Sequence, residues 1–436
     1  MKNRTMKNTT LKNCLISCSI ILMSSAVYAE STYFKVGTLI DVLKGKTLNN
    51  QVIEVENDRI ISVSSANKVK IPANAMVTDL SAYTVLPGLL DMHVHLTSNP
   101  NKHGYRRLES SIPRQALYGA YAAKNTVMAG FTTVRNLGAA GFADVALRDS
   151  INDGEVLGPR MRVSGPTLCM TGGHCDNNLL PPEYDAHSAG ATDGPYALKG
   201  KVRNNIRHGA DVIKFTATGG VLSKNTNVNA AQFDSTEMSA LISEAHDRYR
   251  KVAAHAHGAE GIKRAIRAGV DSIEHASLID AEGLRLAKKN GTYLVMDVYV
   301  SSFILGEGEK AGILEESLAK ERLVGKVQRE NFKKAHEMGI NIAFGSDAGV
   351  YPHGDNGKQF AYMVKWGMTP MEAIQAATSK AAELLDWRNE NGQLNVGAIE
   401  TGRYADFIAV KGNPLKDVSV LENVTVVVKG GNVIKH

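Results

Sequence analysis

The chain has 436 residues, 43% hydrophobic and 22% charged, an ordinary globular make-up that excludes wholesale disorder and a collagen-like or coiled-coil chain. Its length suggests about two to three domains at ~150 residues each, or an α/β barrel of ~250 residues with a smaller unit. Lys2, Arg4, Lys7 and Lys12 supply four units of the formal net charge of +6, and no basic stripe elsewhere points to nucleic acid.

Residues 1–29 read as a secretory signal peptide. A basic start ends at Lys12, an apolar stretch runs from Cys14 to Val27, and Val27-Tyr28-Ala29 precedes Glu30. The stretch is too short and serine-rich for a membrane span of ~20 apolar residues. The mature protein is therefore expected in the periplasm or outside the cell after cleavage near Ala29, with no stable membrane anchor. Cleavage removes Cys14 and Cys18 and leaves Cys169 and Cys175, whose pairing spacing alone does not decide.

Residues 30–86 carry short alternating runs such as Phe34-Lys35-Val36, Val52-Ile53-Glu54-Val55 and Ile60-Ile61-Ser62-Val63. The C-terminus repeats that texture in Phe407-Ile408-Ala409-Val410 and Val426-Val427-Val428. Neither end has a sizeable core alone, so residues 30–86 and 391–436 are expected to build one small composite β-sandwich. Between them, residues 87–390 alternate strands and helices. The expected strands are Val85–His95, Thr132–Asn136, Arg160–Ser164, Asp211–Phe215, Lys251–Ala256, Asp271–Glu274, Thr292–Asp297 and Asn341–Gly345. The expected helices between them include Ser235–Arg250, Ala259–Ala268, Glu282–Lys289 and Val327–Met338. That order predicts an α/β fold, a (β/α)8 TIM barrel.

A barrel of this kind places reactive residues at the C-terminal ends of its strands. The first expected strand ends in Asp91-Met92-His93-Val94-His95, and residues two apart on a strand face the same side. Imidazoles so placed suit a metal such as zinc. The fourth ends at Lys214, the fifth in Ala254-His255-Ala256-His257-Gly258, the sixth at His275 and the eighth at Asp347. A lysine at the inner end of an apolar strand is costly unless paired or modified. His255 and His257 share a face, so spacing does not choose between them.

These strand ends resemble the amidohydrolase superfamily over nearly the whole mature chain. The resemblance implies two divalent metal ions, zinc being the expected species. His93, His95 and Asp347 would hold one, and His255 and His275 the other. Lys214, carboxylated by CO2, would bridge them. The family pattern takes His255 as the ligand and turns His257 to the substrate. Thr171-Gly172-Gly173-His174-Cys175-Asp176, Thr218-Gly219-Gly220-Val221 and Asp347-Ala348-Gly349-Val350-Tyr351-Pro352-His353 look like a peptidase branch. That branch holds zinc dipeptidases and carboxypeptidases acting on L-Xaa-L-Arg or L-Xaa-L-Lys, related to Xaa-Pro dipeptidases and imidazolonepropionase-like members.

The resemblance implies amide hydrolysis of a small peptide or amide by a metal-bridged hydroxide. Asp347 would shuttle the proton, and His174 would stabilise the tetrahedral intermediate. A free carboxylate would be met by His257, by the backbone of Gly219, Gly220 and Val221, or by Tyr105. A basic leaving residue would need an acid, with Asp297 first, then Asp176 and Asp355. Alternatives on the same site are an Xaa-Pro dipeptidase, an N-acyl or aryl-amide hydrolase of the ochratoxin kind, and a cyclic-amide hydrolase. A binding protein on a decayed scaffold is disfavoured by the intact ligand set. His103, His187, His208, His246, His336 and His436 are expected at the surface, and a homo-oligomer is a general expectation.

Overall fold

The computed structural model describes residues 31–436, so the expected signal peptide lies outside the described residues. Four strands open the described chain: β1 Thr32–Asp41, β2 Lys46–Glu56, β3 Arg59–Ser65 and β4 Met76–Pro87. Seven follow in the middle: β5 Leu89–Val94, β6 Phe131–Asn136, β7 Arg160–Val163, β8 Val212–Thr216, β9 Lys251–Gly258, β10 Ser272–Leu278 and β11 Tyr293–Val295. Three close the chain: β12 Phe407–Val410, β13 Val426–Lys429 and β14 Asn432–Lys435.

Both chain ends share one seven-stranded sheet, in the order β14-β13-β12-β4-β1-β2-β3. The sheet curls until its β3 edge returns to the segment before β12. There Ile60 N donates to Arg403 O at 3.0 Å and Ala405 N to Asp58 O at 2.8 Å. The enclosed face buries Phe34, Val36, Ile53, Leu80, Phe407 and Val426, with Phe34 edge-on to Phe407 at 4.9 Å between centroids. This is the two-faced packing of a β-sandwich, made from a sheet folded over its own core.

β5 to β11 form two parallel runs, β5-β6-β7 and β8-β9-β10-β11. Irregular segments close them into a barrel. Leu168 N donates to Lys214 O and Thr216 N to Leu168 O, each at 2.9 Å, across the β7–β8 gap. On the other side residues 341–347 lie between β11 and β5. Leu294 N donates to Asn341 O at 2.9 Å, Met92 N to Phe344 O at 2.9 Å and Asp347 N to His93 O at 2.8 Å. The expected eighth strand is thus present as a bridged extended segment without a regular ladder. Its chain must leave β geometry to carry Asp347 at φ +57°.

The expected strand Val85–His95 is two strands, β4 and β5, broken at Gly88. A Cβ there would lie 2.1 Å from Thr132 Oγ1, so glycine lets the chain pass from sheet to barrel against β6. The helix expected over Val327–Met338 spans Glu315–Glu337. Charged residues and Gly325 disguise its first half. Asp234 and Glu237 form a capping box that starts helix Ser235–His246. No described helix is long and apolar enough to cross a membrane.

Sheet and barrel are joined by an ionic contact. Arg160 of β7 donates from Nε to Asp406 Oδ2 at 2.7 Å, beside Tyr404, whose ring lies 3.5 Å from both the Arg160 and Arg59 guanidinium carbons. Arg160→Met would strand the buried Asp406. It is expected to lower unfolding free energy by about 3 kcal/mol in urea titration, whereas an unchanged midpoint would mean that the contact is idle.

Candidate metal and amide-hydrolysis site

The strand ends converge on one cavity of about 810 Å³. His93 Nε2 and His95 Nε2 lie 3.2 Å apart, and Asp347 Oδ1 lies 3.4 Å and 3.3 Å from them. A second group, His255, His257 and His275, brings its ring nitrogens within 4.8 Å of one another. The groups adjoin, with the His93 and His275 ring centroids 5.0 Å apart. Geometry gathers His257 with His255, so the choice that spacing left open is not closed by position alone.

Local backbone strain aims these groups. The β9–β10 ladder loses register between His275 and Leu278, and His275 and Ala276 sit at φ +68° and +50°. A bulge of this kind re-aims a side chain at a strand end. Together with Asp347, these are non-glycine residues held in the left-handed region, each at a cost of about 1–3 kcal/mol that surrounding structure must offset.

Partners behind the rings set their orientation. Arg135, fully buried, donates from Nη2 to Glu274 Oε1 at 2.8 Å, from Nη1 to Ser272 Oγ at 3.0 Å and from Nε to Met92 O at 2.7 Å. Glu274 Oε2 then lies 3.2 Å from His93 Nδ1, so the carboxylate faces the ring. His275 Nδ1 lies 3.0 Å from both Asp297 oxygens, and Gln328 Nε2 donates to Asp297 Oδ1 at 2.7 Å. His257 Nδ1 lies 2.8 Å from Ser277 Oγ. Carboxylates behind histidines are the usual device for fixing a metal ligand's tautomer.

The donor set fits divalent metal. Burial pushes His93, His255 and His257 well below the usual imidazole range, which keeps them in the neutral, ligating form. Lys214 Nζ and His255 Nε2 are buried with no hydrogen-bond partner among the described residues. Burial lowers the Lys214 amine to about 8. An unpartnered buried amine beside two histidine groups calls for neutralisation by a ligand or by chemical modification.

His174 lies at the same cavity and stacks on His255 at 4.1 Å between centroids. Its Nδ1 is 2.8 Å from Ser223 Oγ, and burial lowers it to about 3. Its loop is closed by a Cys169–Cys175 disulfide with Cα atoms 5.7 Å apart. Gly220 makes room for the ring, since a Cβ there would lie 2.2 Å from His174 Nδ1.

Several expected substrate contacts are placed differently. The Gly219 amide donates to Ala230 O at 3.2 Å and the Gly220 amide to Thr226 Oγ1 at 3.3 Å, so both are used inside their own loop. Val221 does line the cavity. Tyr105 lies outside the cavity wall, half exposed, accepting from Lys224 Nζ at 2.9 Å. Asp297 is spent on His275 and Gln328. Asp176 accepts from Gly172 N at 2.8 Å and Ser188 N at 2.7 Å, and Asp355 pairs with Lys358 at 2.8 Å. His103 and His187, expected at the surface, line the cavity. So do Arg107 and Glu321, which stand in no motif that sequence reading would select.

Glu274→Gln removes the charge facing His93 and leaves Arg135 uncompensated. Metal affinity is expected to fall on the order of 10–100-fold in chelator competition. Unchanged affinity in a folded variant would show that Glu274 does not tune the site.

Comparison with known proteins agrees with this geometry. The Amidohydrolase family profile matches residues 84–434. Ochratoxinase of Aspergillus niger is 33% identical over 442 residues, covering 95% of this chain and 89% of its own. A Xaa-Pro dipeptidase structure with bound methionine superposes with TM-score 0.86 at 39% identity, covering 93% of this chain and all of its own. A prolidase complexed with N-methylphosphonate-L-proline superposes with TM-score 0.85 at 29% identity over 93% of this chain and all of its own. The chain therefore belongs to the amidohydrolase family, enzymes with a TIM barrel and a β-sandwich that are generally metal-dependent.

Proposed function

We propose that this amidohydrolase releases the C-terminal residue from dipeptides or N-acyl amino acids at a site for two divalent metals, with zinc the expected species. The observation that carries the reading is Lys214, whose buried Nζ has no hydrogen-bond partner among the described residues and which lines the same cavity as both histidine groups. His93, His95 and Asp347 would hold one metal and His255 and His275 the other, bridged by Lys214 as its carbamate. The relatives support an amide substrate: one carries methionine in its active site, and another carries a phosphonate on the nitrogen of proline. A tetrahedral phosphonate at that nitrogen mimics the geometry of water addition to an amide carbonyl.

When bound, the metals supply an activated water at neutral pH and polarise the scissile carbonyl. The residues of the chain do the rest. Asp347 accepts the proton of the attacking water as the C–O bond forms. It returns that proton to the leaving nitrogen as the C–N bond breaks. His174, neutral and turned by Ser223 at Nδ1, presents Nε2 to the oxygen that gains charge. His257 and Val221 line the cavity and would meet the substrate's far end. An L-Xaa-L-Arg or L-Xaa-L-Lys preference needs an acid other than Asp297 or Asp176. An Xaa-Pro preference is the second reading, supported by the Xaa-Pro dipeptidase and the prolidase among the similar structures.

Export before action is part of the proposal. The Cys169–Cys175 disulfide supports an oxidising compartment, as does the composition of residues 1–29.

The test is hydrolysis of an L-Xaa-L-Yaa library and of N-acyl amino acids by zinc-loaded, bicarbonate-treated protein. Release of the free C-terminal residue, lost in Lys214→Ala, is expected. Metal-replete protein that cleaves none of them would overturn the reading. His174→Gln is expected to lower kcat on the order of 10²–10³-fold at unchanged metal content. An unaltered kcat would remove His174 from the chemistry.

A further inference from the structure

One wall of the cavity is built from two helices, Val300–Glu307 and Glu315–Glu337. Val300 and Ile304 face it from the first, and Ser317, Glu321, Val324 and Gln328 from the second. Their three- and four-residue spacing puts each set on one helix face. Glu321 is the anomaly in this wall. It is 4% exposed, and Oε1 accepts from Ser301 Oγ. Among the described residues, Oε2 has no hydrogen-bond partner and no cation comes within ion-pair distance of the carboxylate.

The nearby bases are engaged elsewhere. Lys320 donates to Ser223 O, and Arg329 donates to Val298 O and Ser302 Oγ, each at 2.9 Å. The backbone makes room for the carboxylate, because a Cβ on Gly325 would lie 2.6 Å from Glu321 Oε1. Burial raises the Glu321 carboxyl to about 7. A buried acid without a counter-cation is costly, and an arriving cation would relieve that cost.

We propose that Glu321 is the specificity carboxylate of this site, selecting substrates whose released residue ends in a guanidinium or ammonium group. Val300, Ile304 and Val324 would cover the aliphatic stem of such a side chain while its head meets Glu321. The inference rests on the reading of the protein as a hydrolase that releases a C-terminal residue. Glu321 does the work that sequence reading assigned to Asp297, whose oxygens are committed to His275.

The experiment compares kcat/KM of the metal-loaded enzyme on L-Ala-L-Arg and L-Ala-L-citrulline, which differ in charge and hardly in shape. The wild type is expected to favour arginine on the order of 10²-fold, mainly through KM, as for a buried charge pair. In Glu321→Gln that ratio should fall towards one. A wild-type ratio near one, or equal losses on both substrates in the variant, would overturn the proposal. If the variant does not fold, the wild-type ratio alone decides. If neither dipeptide is cleaved, calorimetric binding of L-arginine and L-citrulline decides separately from the hydrolase reading. Tighter arginine binding that Glu321→Gln abolishes supports the proposal, and equal binding overturns it.

Discussion

The architecture of the site depends on a buried ion pair in the barrel interior, Arg135 with Glu274, whose second carboxylate oxygen faces the neutral His93 ring. Arg135 stands on β6, Glu274 on β10 and His93 on β5, so three strands are tied at one point. Removing a guanidinium and a carboxylate from water is expensive, and their attraction offsets it only when remaining donors are satisfied. Here Ser272 and the Met92 carbonyl take the other guanidinium donors. The contact leaves His93 Nε2 turned to the cavity, where His95 and Asp347 meet it.

A second supporting layer lies at the other histidine group. Asp297 and Gln328 hold His275, and Ser277 holds His257. Asp91 joins the first and last barrel segments, accepting from Ser346 N at 3.1 Å and Asn356 Nδ2 at 2.8 Å. Burial raises its carboxyl to about 7. These contacts over-determine positions that the backbone alone would not choose, namely His275, Ala276 and Asp347 in the left-handed region. Rigid strands, a bulge and satisfied polar partners together preorganise the site before any ligand arrives.

Much of this was legible in the sequence, for physical reasons. Strand periodicity and helix caps are local, so the strand ends bearing His93, Lys214, His255, His275 and Asp347 could be found by pattern. What pattern missed is long-range. The Asp297–His275 pairing spans 22 residues and the Glu321–Ser301 contact 20, and neither has a fixed spacing rule. Asp297 therefore read as a free strand-end acid, and Glu321, which lies before the expected helix Val327–Met338, was not singled out. The eighth barrel segment read as a regular strand because its irregularity serves Asp347, not local propensity. The roles of Gly88 and Gly220 depend on Thr132 and His174, which lie far away in the chain.

In the proposed reading, the Arg135–Glu274 pair behind His93 and the buried Lys214 prepare a site for two metal ions. The direct measurement is metal content per chain by elemental analysis, after equilibration with zinc and bicarbonate and removal of free ion. Two ions per wild-type chain and no more than one in Lys214→Ala are expected. Fewer than one ion in the folded wild type, or two in both proteins, would contradict it.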